Sequence, residues 1–505
     1  MNRIILCFII LSTLFLSISA ISASEDVAFD NLTAVVEDND DLVTLNENAD
    51  ELFSSDNRTS TEISSEDKIS YVDYEDKFTV KLTSNGSILS NKSILIKFNN
   101  VEYDKTTDLN GQVDIDFKLK SGVYAIDYSF MGDEDYAPSN GTSTLTVENK
   151  LVTSFTVVDK DIVYREGLKS IFQIKLVDIY GNIVAKESVT IKVGGKTYSA
   201  KTNSKGIATF YLSLGQGTYN VQYHFSQNSR YVNSSSTYKI SVKAKLSKGD
   251  GYWVNLWSMK KVNLKKLSKL GTKHIFLLHA AISKYGKNDV LNWIKKAHKY
   301  GMKVHLWISV FYKNGKYISP VSKKGVFNYK YMNKIIRQVK GYAKLNGGDG
   351  IHFDYVRFPG TAYKYKNSVK AVNYFIKKAC VNLRSVNPDI IVSAAVMPEP
   401  TSMKYYYAQD IPTMSKYLDA ILPMIYKGNY HAGSKWIKKT TKQFVKQSKG
   451  SLIWAGLQSY KSDSNIKKLS YKELFNDAKA AKKGGASGIV LFRWGLSPLL
   501  NFNKL

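Results

Sequence analysis

Two carboxylates carry the chemistry that this sequence offers. Asp354 closes the apolar stretch Gly350-Ile351-His352-Phe353, and Arg357 follows it, ahead of Pro359. An ionised acid on a buried run is costly unless it is paired or opens onto a solvated cleft. Glu399 stands in Met397-Pro398-Glu399-Pro400, where two prolines stiffen the turn. One acid held protonated and one ionised form the pair that cleaves a glycosidic bond. The first protonates the leaving oxygen; the second attacks, or activates water. Plainer assignments stand beside this one: Asp354 holding a loop through Arg357 or backbone, and Glu399 as an exposed loop residue.

The elements that must position these acids begin at residue 250. From there apolar runs alternate with Lys-rich amphipathic patterns. The runs are Tyr252–Trp257, His274–His279, Val304–Val310, Gly350–Phe358, Ile390–Met397, Ala420–Tyr426, Leu452–Gln458 and Gly488–Trp494. Helical patterns between them cover Asp289–Tyr300, Tyr331–Leu345, Ser368–Arg384, Lys435–Ser448 and Tyr471–Lys483. Eight strands with intervening helices predict an α/β chain segment of the (β/α)8, or TIM, barrel type. The other candidate, an open doubly wound sheet, lacks a Gly-rich phosphate loop after its first strand.

A barrel puts chemistry at the C-terminal ends of its strands. Those ends carry Asp354 and Glu399 on neighbouring strands as the catalytic candidates. Trp257, His279, Trp307, Arg357, Tyr426, Gln458, Arg493 and Trp494 are the substrate-binding candidates. Aromatic rings there suit the faces of sugars, and they equally suit packing of the barrel top. Asp349 and Asp419 precede the fourth and sixth strands, which places them at the opposite face as structural caps. His279, His305 and His352 raise metal-dependent deacetylation as a minor option, but without a His/Asp cluster in sequence. No metal or cofactor is called for.

The stretch Gly350–Pro359 resembles the FDYxRFP signature of glycosyl hydrolase barrel families distantly related to the α-amylase superfamily. Gln409-Asp410 and Asp419-Ala-Ile-Leu-Pro-Met-Ile-Tyr426 are similar to a second block of those families, of the form D-x-x-x-PMxY. The resemblance spans roughly 250 to 505. It implies a hydrolase barrel in which Asp354 is the nucleophile or its equivalent and Glu399 the proton donor. Val356 stands where chitinase barrels with an Asp-x-Glu motif would carry their acid, so cleavage by that route is not expected.

The first half of the chain is of another kind. Residues 1–23 have a basic start, an apolar core from Ile4 to Ile18 and small residues at Ala20, Ser22 and Ala23, which predicts a secretory signal peptide. Residues 24–65 are acidic and polar, too poor in apolar groups to order themselves, and are assigned as a spacer. Residues 66–149 and 150–245 are two repeats with alternating apolar patterns about 95 residues apart. Phe78-Thr-Val-Lys-Leu82 answers Phe172-Gln-Ile-Lys-Leu176, and Ser93–Phe98 answers Ser188–Val193. Both repeats resemble the bacterial-type immunoglobulin-like domains of adhesin-like proteins from methanogenic archaea and bacteria. The expected architecture is therefore multidomain: two all-β immunoglobulin-like sandwiches followed by a TIM barrel over 246–505.

Composition narrows the partners. Lys and Arg number 71 against 43 acids, a net charge of +28. No basic helix, zinc spacing or aromatic RNA-binding motif accompanies that charge, so nucleic acid is not the expected partner. A basic exported chain fits an acidic polysaccharide, and non-covalent association with a cell wall or surface layer. Cys7 lies in the leader, and Cys380 falls on the apolar face of a helical pattern, as a small core residue. The reading that follows is a secreted or surface-associated glycosidase acting on an extracellular polysaccharide. Its rival is a non-catalytic glycan-binding adhesin built on the same barrel. The oligomeric state is left open by the sequence.

Overall fold

The computed structural model describes residues 57–72, 74–345 and 348–505. The leader and most of the acidic spacer lie outside these residues. Ser60–Leu505 forms one compact unit.

Eight parallel strands close into a barrel: β1 (Gly251–Val254), β2 (His274–Leu278), β3 (Lys303–Ser309), β4 (Gly350–Asp354), β5 (Ile391–Val396), β6 (Ala420–Ile425), β7 (Leu452–Gln458) and β8 (Gly488–Phe492), with β8 pairing back to β1. Helices lie outside them, among them α1 (Leu264–Lys269), α2 (Lys287–Lys299), α3 (Tyr329–Ala343), α4 (Ser368–Arg384), α5 (Met403–Tyr407), α6 (Ser434–Gln447) and α7 (Tyr471–Lys483). The two-residue period of a strand explains the layering. On β4, Ile351 and Phe353 point outward into the helix-facing core, where Phe353 meets Phe375 of α4 edge-on at 5.5 Å. His352 and Asp354 therefore point inward. The lumen is filled by Trp253, Phe276, Trp307, Leu422, Trp454 and Val490, so it is a packed core with an open mouth.

Three histidines share that lumen. His274 and His305 share a hydrogen bond at 2.9 Å, and His352 bonds Ser393 at 2.9 Å. Burial lowers the proton affinity of all three, which keeps them neutral and compatible with the aromatic packing around them. Gly350 is required beside them, because a β-carbon there would lie 2.2 Å from His305 Nδ1.

The closed end of the barrel is stapled by acids that precede strands. Asp250 accepts the Ile489 amide, Asp349 the Val304 amide and Asp419 the Val392 amide. Each acid thus ties the start of its own strand to a neighbour. Cys380 is buried on α4, and burial pushes its thiol up to about 12.

Two double-sheet units precede the barrel. In the first, Asp76–Ser84 pairs with Glu62–Ser64, Ser87–Ile88 and Gln112–Phe117. Its facing sheet runs Lys68–Tyr71, Ser139–Glu148, Gly122–Phe130, Ser93–Phe98, Val101–Thr106. Phe78, Val80 and Leu82 interdigitate with Ile94, Ile96 and Leu145 between them. The second unit repeats this plan, with Phe172, Ile174 and Leu176 in the equivalent core positions. Tyr74 stacks on Tyr180, joining one unit to the next.

The second unit is clamped to the closed end of the barrel. Arg165, buried between its own sheet and the barrel, donates to Asp419 through Nε at 3.2 Å and Nη2 at 2.5 Å. Arg384 of α4 pairs with the other Asp419 oxygen at 2.9 Å. Asp159 bonds Tyr417 and pairs with Lys377 at 3.0 Å. Among the described residues no helix is long and apolar enough to cross a membrane.

The strand limits differ from expectation at one instructive place. The sequence pattern extends the fourth strand to Phe358, whereas β4 ends at Asp354. Tyr355 takes a left-handed conformation with φ of 49°, which turns the chain out of the sheet. Arg357 consequently belongs to a loop over the mouth.

Candidate active site

A cavity of about 390 Å³ opens at the C-terminal mouth, within the size range of small-ligand sites. Its floor is Trp253 and Phe492, and its walls include Asp354, Arg357, Tyr426, Tyr430 and Asp463.

Asp354 arrives there because alternation on β4 aims it into the lumen one layer above His352. Trp307 of β3, also inward-facing, donates its indole Nε1–H to Asp354 Oδ2 at 3.1 Å. The Tyr355 amide donates to Oδ1 at 2.7 Å. Burial raises the Asp354 pKa above its ordinary value, and the Tyr355 amide, the Arg357 charge and the Trp307 donor offset that only in part. Asp354 is thus a carboxyl group that holds its proton more tightly than a solvated one.

The left-handed Tyr355 costs about 1–2 kcal/mol for a non-glycine residue. It is held there by its ring, which stacks on Tyr312 at 4.5 Å, and by its carbonyl, which accepts from the Phe311 amide at 3.1 Å. Arg357 sits over the rings of Tyr355 at 5.0 Å, Tyr317 at 5.5 Å and Tyr407 at 5.8 Å. It makes no ion pair within 4 Å among the described residues, so it acts on Asp354 through its field.

A second carboxylate reaches the cavity from an element that the sequence did not single out. After β7 the chain forms a hairpin, Tyr460–Ser462 paired with Asn465–Lys468. Asp463 at its tip lines the cavity and is exposed to solvent. Its oxygens accept from the Tyr460 hydroxyl at 2.8 Å, Asn429 Nδ2 at 2.8 Å and Gln458 Nε2 at 3.4 Å. Gly428 permits the approach, since a β-carbon there would fall 1.7 Å from the Lys461 carbonyl oxygen.

Glu399 lies behind the cavity wall. Its Oε1 accepts from the hydroxyls of Tyr430 at 2.6 Å and Tyr407 at 3.2 Å. Its Oε2 is buried with no partner among the described residues. The cavity-lining set contains Tyr430, Met397 and Pro398, and does not contain Glu399. The rigid turn directs its side chain onto two tyrosines, one of which, Tyr430, lines the cavity.

The substrate-binding candidates divide. Arg357 and Tyr426 line the cavity, with Tyr426 stacked on Phe492 at 5.6 Å and its hydroxyl pushed well up by burial. Gln458 is buried beneath Asn429 and Asp463, with Oε1 unpartnered among the described residues. Trp307 is buried in the lumen, outside the cavity lining, and orients Asp354 through its indole N–H. Arg493 follows β8 and acts on Tyr460 through its charge. Three others are placed away from the cavity. His279 turns outward to bond Tyr342 of α3 at 3.1 Å. Trp257 is 63 % exposed with Lys284 Nζ 3.7 Å from its ring centre, outside the cavity. Trp494 packs against the outer core between strands and helices. His279 takes the outward parity of β2, whereas Trp257 and Trp494 lie beyond the ends of β1 and β8, where the alternation of the strand no longer holds them inward.

The three strand histidines of the deacetylase option do not converge, His279 being outside the barrel wall and His305 engaged with His274. Asp349 and Asp419 sit at the closed end and act as caps.

Residues 283–462 match the model of a family described as "Putative glycosyl hydrolase domain". The chain contains a glycosyl hydrolase-like domain. Asp354 and Glu399 lie inside the match, and Asp463 lies one residue past its end. Comparison with curated proteins gives no match. Among solved structures, the chain is similar to the PgaB (BpsB) glycoside hydrolase domain of Bordetella bronchiseptica, at 14% identity, TM-score 0.38, covering 49% of this chain and 94% of that one. It is also similar to the spore cortex-lytic enzyme SleL of Bacillus megaterium, at 14% identity, TM-score 0.36, covering 53% and 76%. Group II chitinase catalytic domain 2 of Ostrinia furnacalis gives 12% identity, TM-score 0.36, covering 49% and 90%.

Proposed function

We propose that the barrel is a glycosidase that hydrolyses an extracellular polysaccharide, with Asp354 and Asp463 as the reacting carboxylates. The observation that carries this is their presence in one cavity in opposite environments, one buried and one solvated. Asp354, with its raised proton affinity, protonates the leaving oxygen. Asp463, open to water, supplies the negative charge that activates water or stabilises the cationic sugar. Glu399 is a positioning residue that fixes Tyr430 and Tyr407. This reassigns the proton donor from Glu399 to Asp354.

Arg357 and the excess of basic residues favour an acidic glycan. In this reading the two preceding double-sheet units serve as an immunoglobulin-like arm that carries the barrel on an exported protein, at the wall or surface.

The test uses the full chain against purified wall polysaccharides, uronic-acid polymers among them, with reducing ends as the readout. Asp354→Asn and Asp463→Asn are expected to lower the rate by about 10²–10⁴-fold, and Glu399→Gln by less. Release that survives Asp354→Asn refutes the site. Binding without release by the unaltered chain favours the glycan-binding adhesin.

A further inference from the structure

The geometry points to a second carbohydrate-binding surface beside the cavity, a tyrosine platform of Tyr363, Tyr405 and Tyr406 that takes the distal sugars of an extended acidic polysaccharide. This rests on the glycosidase reading and adds the length and charge of its substrate.

The platform is built from two strand-end segments. Tyr363 lies on the single turn Ala362–Lys364 that follows β4, and Tyr405 and Tyr406 lie on α5, which follows β5. Tyr363 and Tyr405 are parallel within 2° at 4.9 Å, and Tyr406 stands edge-on to both. All three remain exposed, at 48 %, 57 % and 43 %. Three clustered aromatic rings in water are an unsatisfied surface, since rings of this size normally bury their faces.

The occupant follows from continuity and charge. Tyr407, next in the chain, bonds Glu399, and its ring lies beneath Arg357 of the cavity wall. Glu399 in turn bonds Tyr430 of that wall. Tyr406 and Tyr405 are therefore one and two residues along α5 from Tyr407, which touches the cavity wall, and Tyr363 joins them by stacking on Tyr405. A sugar polymer threaded through the cavity meets them next. Flat rings match the C–H face of a pyranose, and phenol hydroxyls match its rim. Lys364, whose Nζ is 5.7 Å from the Tyr363 ring centre, and Lys366 have no carboxylate partner among the described residues. Lys404 on α5 is paired with Asp410 at 3.3 Å, so the uncommitted positive charge beside the rings is that of Lys364 and Lys366. Carboxylated sugars fit this surroundings better than neutral ones.

The test measures calorimetric affinity of the full chain, carrying Asp354→Asn to stop turnover, for galacturonate di- and octasaccharides. Tyr363→Ala with Tyr405→Ala is expected to weaken the octasaccharide about tenfold and leave the disaccharide unchanged. Tyr363→Phe with Tyr405→Phe, which keeps the rings, is expected to retain octasaccharide binding, and thermal melts verify folding. Unchanged octasaccharide affinity in the alanine variant overturns the platform while the cavity stands. Equal loss for both oligomers overturns a platform separate from the cavity. If neither oligomer binds the chain with its tyrosines intact, the acidic-glycan reading of cavity and platform falls together.

Discussion

Asp354 shows how a single side chain is set by groups of different kinds. Its burial favours the proton, whereas the Trp307 indole and the Tyr355 amide favour the anion. Replacing Trp307 with Phe removes one donor, so the Asp354 pKa rises further. Since Asp354 acts here as the acid, activity is lost as pH rises through its pKa. The alkaline limb of the rate profile is therefore expected to move to higher pH in Trp307→Phe, as read from kcat against pH. Movement of the acid limb instead would show that Asp354 works ionised. The same burial has a sign for stability. The folded-state pKa lies above 3.8, so the fold binds this proton more tightly than the unfolded chain does. Ionisation then weakens the fold as pH rises above 3.8. Asp354→Asn is expected to melt at a higher temperature than the unaltered chain at pH 7, with the gap closing below pH 3.8.

At the scale of elements, the strands were legible and the site only partly so. Lumen and helix-facing residues alternate along β4, and Gly-rich turns bound it, so its existence and its acid are visible in one dimension. Its end is not, because Tyr355 carries no sign of a left-handed backbone, and neighbouring rings impose it. Asp463 was missed for a related reason. Ser462-Asp463-Ser464-Asn465 has the composition of any polar turn, and only the fold of the hairpin over Asn429 brings it to the mouth. Strand-end aromatics were over-read, because their side of the wall depends on where each strand stops. The hairpin's seat gives a prediction. Gly428→Ala forces a β-carbon against the Lys461 carbonyl. The expected result is a loss of about 1–3 kcal/mol in urea unfolding together with lower activity, as Asp463 is displaced.

Across the whole molecule, the barrel was legible from the change of period near residue 250, while its junction with the preceding sheets was not. Arg165 and Asp419 are 254 residues apart, and neither has a local pattern that names its partner. Their pairing is fully buried, with Arg384 completing it. Asp419→Ala would leave two buried guanidinium groups without their shared carboxylate, and an expected cost of about 3–5 kcal/mol is measurable by chemical denaturation. Arg384 and Arg165 hold the Asp419 pKa below 3.8 against its burial. Its contribution is present above that value and disappears as pH falls through the lower folded-state pKa. Acid unfolding is accordingly expected to shift to higher pH in Arg165→Met, followed by circular dichroism. The isolated segment 246–505 loses Arg165, and is expected to melt below the full chain.

The clamp at the closed end also sets the path of mechanical load. If the N-terminal region is tethered while the mouth holds a long polymer, tension enters the barrel through Arg165, Asp159 and the chain leading into β1. These contacts lie at the opposite ends of the strands from Asp354 and Asp463. A pull on the tether is then carried first by the closed end of the barrel, through the buried Arg165–Asp419 pair and the part-exposed Lys377–Asp159 pair. The packed aromatic lumen lies between those contacts and Asp354.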